Sequence, residues 1–140
     1  MIYALNTYFM SVSRNEEPGT ATAAILDFSR LAMLMEMEEE NDSPMIKEIA
    51  GHFIEDITAV MSRSDAAIST GNFSQIATSA HTIKGSAATF GLPRVETIAR
   101  ELEASAKDTA KHDFIPSVYQ SLREAFQAGC AALEAYFADR

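Results

Sequence analysis

The chain has 140 residues, the length of a single domain that can bury a substantial hydrophobic core. Hydrophobic residues make up 47% of it but aromatic residues only 9%, a balance that favours packed helices over sheets. The formal net charge of −9 argues against a nucleic acid or an anionic membrane as the main partner, and it favours a monomer.

The only cysteine, Cys130, leaves no internal disulfide to form and is typical of a protein of the reducing cytoplasm. The first 13 residues are fairly apolar, but they have no basic residue before Arg14 and are too short to span a membrane. They therefore resemble neither a signal peptide nor an anchor. Apolar residues at helical spacing predict a short helix there (Ile2, Leu5, Tyr8, Phe9 and Val12).

Residues 13–20 contain Pro18 and Gly19 and predict a linker. We therefore expect an N-terminal extension over residues 1–21 and one folded domain over residues 22–140.

Asp27 predicts the capped start of a short helix that ends near Glu38. Three alternating methionines in it favour packing in or over the core rather than ligand binding (Met33, Met35 and Met37). The acidic run over residues 36–42 is typical of a solvated helix end.

Ser43 and Pro44 predict the start of a long second helix, which ends near Thr70 with Gly71 as its stop signal. A helical stripe of apolar residues supports this assignment (Ile46, Ile49, Ala50, Phe53, Ile54, Ile57, Val60 and Met61).

Asn72 and Gln75 resemble a capping pair that opens a third helix, and Gly91 ends it. Its core-facing residues repeat at helical spacing (Phe73, Ile76, Ala77, Ala80, Ile83, Ala87 and Phe90). Pro93 predicts the start of a fourth helix that reaches about Thr109.

Asp113 with Pro116 predicts the start of a last helix, in which Gly129 has no explanation from the sequence. The connections are short, so neighbouring helices should be antiparallel. We therefore predict an all-α fold: an antiparallel up-down four-helix bundle with one or two short N-terminal helices.

The third helix contains the candidate site. His81 can change its charge near neutral pH, and its place at the flank of the apolar stripe predicts exposure. Lys84 and Gly85 lie on the same helix face. A neutral imidazole attacks an activated phosphoryl group, and a nearby ammonium stabilises the charge on the transferred oxygens. Glycine within a helix costs about 1 kcal/mol relative to alanine, so Gly85 suggests close approach of another molecule, and Ala87 and Ala88 are expected to keep the neighbouring surface low.

These residues, from Ala80 to Gly91, resemble the His-x-Leu-Lys-Gly signature of histidine-containing phosphotransfer (HPt) domains. The resemblance runs from about residue 26 to about residue 137 and is tight over residues 80–103. It implies a phosphorelay intermediate that accepts a phosphoryl group on His81 from a receiver-domain aspartate, or from a kinase, and passes it to a response-regulator aspartate. Its implied partners are receiver domains and a hybrid sensor histidine kinase. The implied Mg²⁺ is the receiver's, and no cofactor is expected on this chain.

If the third and fourth helices fold back at Gly91, Glu103 lies at the height of His81. A carboxylate there would accept the Nδ1 proton and leave Nε2 free to attack. HPt domains often have Gln or Glu at this position, and often a basic residue at the position of Lys107. Five basic residues predict a patch that suits an acidic receiver pocket, although surface pairs such as Glu103 with Lys107 remain an alternative (Lys84, Arg94, Arg100, Lys107 and Lys111).

Other functions have weaker support. Glu48 and His52 are spaced for metal binding, but no second Glu-x-x-His pair accompanies them. His52 and His112 are predicted to be surface residues. No nucleotide-binding motif is present, so we expect a phosphocarrier without kinase activity. An HPt-like adaptor that binds signalling partners without phosphotransfer is the main alternative, and the intact His-x-x-Lys-Gly motif argues against it.

Overall fold

The computed structural model describes residues 23–41 and 45–138, and every regular element in these ranges is helical. They are five α-helices and one 3₁₀ helix: α1 (Phe28–Asn41), α2 (Ile46–Thr70), α3 (Phe73–Phe90), α4 (Pro93–Lys107), the 3₁₀ helix (Thr109–Phe114) and α5 (Ile115–Ala138). Helices α2 to α5 form an antiparallel four-helix bundle in which α2 closes against α5. The predicted fold class is confirmed. The proposed boundary between residues 21 and 22 lies outside the described residues and stays a prediction.

Helix α1 begins as predicted, with the Asp27 carboxylate as its cap. The carboxylate accepts hydrogen bonds from the Ser29 hydroxyl at 2.8 Å and from the Arg30 backbone N–H at 3.1 Å, and both lower the pKa of Asp27. Met35 packs against the core, but Met33 and Met37 are exposed, so the packing prediction is wrong for these two methionines.

Helix α2 begins in a way that the sequence did not indicate. Ser43 and Pro44, its predicted start, lie outside the described residues. The backbone N–H of Ile46 donates to the carboxylate of Glu38 at 2.6 Å, so the end of α1 caps the start of α2. The prediction of a purely solvated acidic run is therefore wrong at Glu38.

The turn from α2 to α3 follows the sequence signals closely. Gly71 ends α2 with a φ of +71°, a left-handed conformation that favours glycine. The Asn72 side chain accepts from the Gln75 backbone N–H at 3.2 Å, as a capping residue does. The Gln75 side chain donates to the Ser79 hydroxyl at 2.9 Å, and the Asn72 N–H donates to the Ala67 carbonyl, so only the Asn72 half of the predicted capping pair forms.

Residues 23–31, which we call the N-terminal clamp, pack over the turn between α3 and α4. The Asp27 N–H donates to the carbonyl of Gly91 at 2.7 Å, and Arg94 donates from its backbone N–H to Ala24 and from Nε to Ala23, both at 2.9 Å. Gly91 has a φ of +73°, and a Cβ there would lie 3.0 Å from the Asp27 carbonyl oxygen. The clamp thus joins α1 to the hairpin of α3 and α4.

The connection between α4 and α5 differs from the prediction. Helix α4 ends at Lys107, and Asp108 caps the 3₁₀ helix by accepting from the Ala110 N–H at 3.0 Å. Asp113 lies within that 3₁₀ helix and α5 begins at Ile115, so the prediction that Asp113 opens the last helix is wrong.

His112 is half-buried, and its prediction as a surface residue is wrong. Its ring stacks on Phe73 with a centroid distance of 3.7 Å, and its Nε2 lies 3.1 Å from the carbonyl oxygen of Ala106. Phe73 itself is exposed rather than part of the core, because it lies at the end of the bundle where the 3₁₀ helix passes α3.

Gly129 is explained by packing between α5 and the turn before α4. Gly129 is buried, and a Cβ added to it would lie 3.2 Å from Cδ2 of Leu92, whose side chain is fully buried. The glycine therefore makes room for a core leucine.

Candidate functional site

His81 lies in the middle of α3, on the side of the helix that faces solvent. Its side chain is 68% exposed, whereas the neighbouring Ala80 and Ile83 are buried in the core. The apolar stripe of α3 packs inward and leaves the ring on the outer flank, as the spacing predicted. Exposure gives a second protein access to the ring.

Glu103, on α4, lies directly against this ring. Its Oε2 is 3.0 Å from Nδ1 of His81, and its side chain is only 12% exposed. The hairpin at Gly91 brings the two residues to the same height, as the sequence predicted.

The charge of Glu103 decides the tautomer of the ring. The hydrogen bond from Lys84 is the main cause that lowers the pKa of Glu103 to about 2, and bonds from Lys107 and His81 add to it against an opposing effect of burial. The carboxylate is therefore ionised at neutral pH and can only accept hydrogen bonds. A neutral His81 must then hold its proton on Nδ1, which leaves the lone pair on Nε2.

Both predicted lysines contact the same carboxylate. Lys84 Nζ lies 2.8 Å from Oε1, and Lys107 Nζ lies 3.2 Å from Oε2. We call His81, Lys84, Glu103 and Lys107 the carboxylate cluster. It contains three donors around one acceptor and spans two helices.

Gly85 and Ala88 lie on the exposed surface of α3 beyond His81. A Cβ built on Gly85 would meet no atom within 4 Å, so nothing within the described part of the chain requires glycine there. Gly51 in α2 is equally open. The space above Gly85 is thus free for a molecule that approaches the ring, although openness alone does not distinguish it from Gly51.

The predicted basic patch is smaller in the structure than in the sequence. Arg94 is buried under the clamp, where burial lowers its pKa to about 10, so its assignment to the patch is wrong. Arg100 pairs with Glu96 at 3.0 Å, which is the surface pairing that the sequence left open as an alternative. Lys111 lies exposed on the 3₁₀ helix.

His52 has no metal-site geometry around it. Its Nδ1 lies 3.7 Å from Oε1 of Glu55, and its side chain is 66% exposed. Over residues 23–41 and 45–138, no group of three or more His, Cys, Asp or Glu side chains is placed to hold a metal ion.

A family model for the Hpt domain matches residues 48–136, which is most of the bundle. The chain belongs to the Hpt domain family. Its fold is similar to that of the crystal structure of histidine-containing phosphotransfer protein B from Pseudomonas aeruginosa PAO1, with a TM-score of 0.73 and 21% sequence identity. That similarity covers 84% of this chain and 98% of the other. The search of curated proteins finds no match.

Hpt domains are phosphocarriers, and the chain is accordingly a histidine phosphotransfer intermediate of a phosphorelay. Domains of this family interact with receiver domains and kinases. The matched residues include the whole carboxylate cluster but begin after the N-terminal clamp. None of the described helices is both long and apolar enough to cross a membrane.

The sequence placed Lys84 and Glu103 separately beside His81 and missed that they pair with each other. The signal was present, since two opposite charges assigned to the same imidazole must also lie near one another. No local pattern indicated the contacts of Arg94, which depend on a segment far from it along the chain.

Proposed function

We propose that His81 is the phosphoacceptor of this Hpt domain and that its Nε2 is the attacking atom. The observation that most directly supports this proposal is the 3.0 Å contact between His81 Nδ1 and the ionised Glu103, on a ring that is otherwise exposed. This contact fixes the orientation and the tautomer of the ring, while exposure leaves Nε2 accessible to an aspartyl phosphate.

In the transfer step, the Nε2 lone pair forms a bond to phosphorus while the bond between phosphorus and the partner's aspartyl oxygen breaks. The electron pair of that bond leaves with the partner's carboxylate. The Nδ1 proton stays in place, so the phosphorylated ring is cationic and lies against the negative charge of Glu103. The reverse reaction on a second receiver's aspartate returns His81 to its neutral state.

The other site residues have supporting roles in this proposal. Lys84 adds a fixed positive charge about one helical turn from His81 and holds Glu103 in place. Gly85 and Ala88 let the partner's backbone approach the ring closely. The Mg²⁺ that assists transfer is bound by the receiver, because Glu103, the carboxylate that contacts His81 within the described residues, already accepts from three N–H donors.

The protein acts in the cytoplasm as a carrier without kinase activity of its own. It receives phosphoryl groups from a receiver, such as that of a hybrid sensor histidine kinase, or from a kinase acting in trans. The sequence supports this because it contains no nucleotide-binding motif, and its one cysteine suits a reducing compartment.

The test is transfer from a panel of ³²P-labelled, phosphorylated receivers to the wild type, to His81→Gln and to His52→Gln. His52 is a matched control, because it is also a helical histidine and is as exposed as His81. We expect acid-labile, alkali-stable label on the wild type and on His52→Gln, and none on His81→Gln. With ATP alone, no protein should be labelled.

Label on His81→Gln at the wild-type level would show that another residue accepts the phosphoryl group. Absence of label from every receiver and kinase, on folded wild-type protein, would instead favour the adaptor that binds signalling partners without phosphotransfer.

A further inference from the structure

The two oxygens of Glu103 have different partners. Oε1 accepts from Lys84 at 2.8 Å, whereas Oε2 accepts from both His81 Nδ1 at 3.0 Å and Lys107 Nζ at 3.2 Å. Lys107 and the imidazole therefore share one oxygen, and a change in either contact affects the other.

The two lysines also differ in how firmly they are held. Lys84 projects from α3 to a carboxylate on α4, so its ion pair joins the two helices, and its side chain is 27% exposed. Lys107 pairs with a residue four positions earlier in its own helix and is 64% exposed. Release of Lys107 breaks no contact between α3 and α4. Release of Lys84 breaks the ion pair that joins these two helices.

We propose that Lys107 is a movable counter-ion, which leaves Oε2 when His81 is phosphorylated and binds the phosphoryl oxygens, while Lys84 stays on Oε1. This inference rests on the proposed function of His81. It assigns the two lysines different roles: Lys84 anchors Glu103, and Lys107 neutralises the transferred group.

Electrostatics drives both halves of this movement. Phosphorylation makes the ring cationic, and a cationic N–H donor competes more strongly for Oε2 than a neutral one does. The same step places a dianion on Nε2 of the ring whose Nδ1 lies 3.0 Å from the oxygen that Lys107 contacts, and this dianion attracts the ammonium group of the long, exposed Lys107 side chain. Before the step the carboxylate cluster has one net positive charge, from two ammonium ions and one carboxylate. After it, the cluster and the phosphoryl group together are neutral.

The movement has a consequence for the lifetime of phosphohistidine. Phosphoryl transfer passes through a loose transition state that resembles metaphosphate. Metaphosphate is a monoanion whereas the bound phosphoryl group is a dianion, so the phosphoryl oxygens carry less charge in the transition state than in the ground state. A cation on those oxygens stabilises the ground state more than the transition state. Lys107 should therefore slow hydrolysis of the bond between nitrogen and phosphorus.

The test uses the full chain, phosphorylated with phosphoramidate, a small donor that needs no partner protein. Loss of the phosphoryl group is followed by ³¹P NMR for the wild type, Lys107→Gln and Lys47→Gln. Lys47 is the control, an exposed lysine on α2 outside the predicted basic patch. We expect Lys107→Gln to shorten the lifetime about threefold, a factor within the range for a partly exposed ion pair, and Lys47→Gln to leave it unchanged.

A second measurement separates a counter-ion from a merely structural residue. In the wild type, the ¹⁵Nζ resonance of Lys107 should shift on phosphorylation and that of Lys84 should not. Equal lifetimes for the wild type and Lys107→Gln, or a shift confined to Lys84, would overturn the role of Lys107 and leave His81 as the phosphoacceptor. Failure of phosphoramidate and of phosphorylated receivers alike to label folded protein would contradict the proposed function itself.

Discussion

Glu103 links the proposed chemistry of His81 to the stability of the bundle, because the same carboxylate contacts the ring and joins α3 to α4. Its pKa of about 2 lies below its usual value of 4.5, chiefly through the bond from Lys84 on the neighbouring helix. A carboxyl group whose pKa is lowered by folding stabilises the folded state above its unfolded pKa. This contribution is complete above about pH 4.5 and is lost as the pH falls towards 2.

Glu103→Gln should lower the free energy of unfolding at pH 7 by about 1 to 3 kcal/mol, and this difference should shrink between pH 4.5 and pH 2. It should also slow phosphotransfer about tenfold, because an amide oxygen still accepts from Nδ1 but no longer balances a cationic ring. Glu103→Ala should be slower still. The measurements are urea denaturation across this pH range and single-turnover transfer from a phosphorylated receiver.

Glu101→Gln is the control, since Glu101 is exposed on the same helix. A transfer rate for Glu103→Gln equal to that of the wild type would remove Glu103 from the site. A stability difference that persists at pH 2 would show that the carboxylate charge is not its cause.

For single residues, the sequence correctly predicted the features that follow from the geometry of one helix or one helical hairpin. The exposure of His81 follows from a periodicity of 3.6 residues, and the proximity of Glu103 follows from the position of Gly91 and the rise of a helix. The burial of Arg94 and the stacking of His112 on Phe73 could not be predicted, because both depend on tertiary contacts between distant segments.

Gly85 in α3 is not required by the packing of the helix, because a Cβ at this position would have open space around it. Gly85→Arg should leave the helix folded, because arginine is a better helix former and the built Cβ meets nothing within 4 Å. It should nevertheless block transfer from receivers, by at least about a hundredfold, because a long charged side chain would occupy the surface beside His81.

Gly51→Arg provides a matched control, because Gly51 is also an exposed glycine inside a helix with an open Cβ position. Circular dichroism checks the fold of both variants, and transfer from one phosphorylated receiver compares their activity. Transfer to Gly85→Arg at the rate of Gly51→Arg would contradict the role of Gly85 in docking.

The ends of the helices show which element boundaries a sequence can specify. Gly71 and Gly91 mark the ends of α2 and α3 because each adopts a positive φ that other residues avoid. The start of α2 was not predictable in the same way, since its first N–H is capped by Glu38 from another helix. Gly129 also needed the fold for its explanation, because Leu92 reaches it from the turn before α4.

For the molecule as a whole, the N-terminal clamp is an addition to the residues that the Hpt family model matches. It buries Leu26 and Leu31 and bonds to both sides of the turn between α3 and α4. The clamp should therefore contribute to stability, whereas all four residues of the proposed site lie within the bundle.

Arg94→Ala should lower the free energy of unfolding by about 1 to 3 kcal/mol, through loss of the Nε bond to Ala23 and of side-chain packing under the clamp. Hydrogen exchange should accelerate most at residues 23–31, and transfer through His81 should change by less than about twofold. Urea denaturation and amide exchange measured by NMR are the readouts.

Arg100→Ala, at an exposed position on the same helix, should change stability by less than about 0.5 kcal/mol. Acceleration of exchange spread evenly over α2 to α5 in Arg94→Ala would show that the clamp is an inseparable part of the bundle.

On the proposed function, transfer through His81 is sequential. With Nδ1 occupied by Glu103, a donor receiver and an acceptor receiver would both react at Nε2, on the same face of α3. The two receivers would therefore bind one after the other rather than together. A receiver in excess then competes with the other receiver for His81. The net direction of phosphoryl transfer depends on the fraction of each receiver that is phosphorylated.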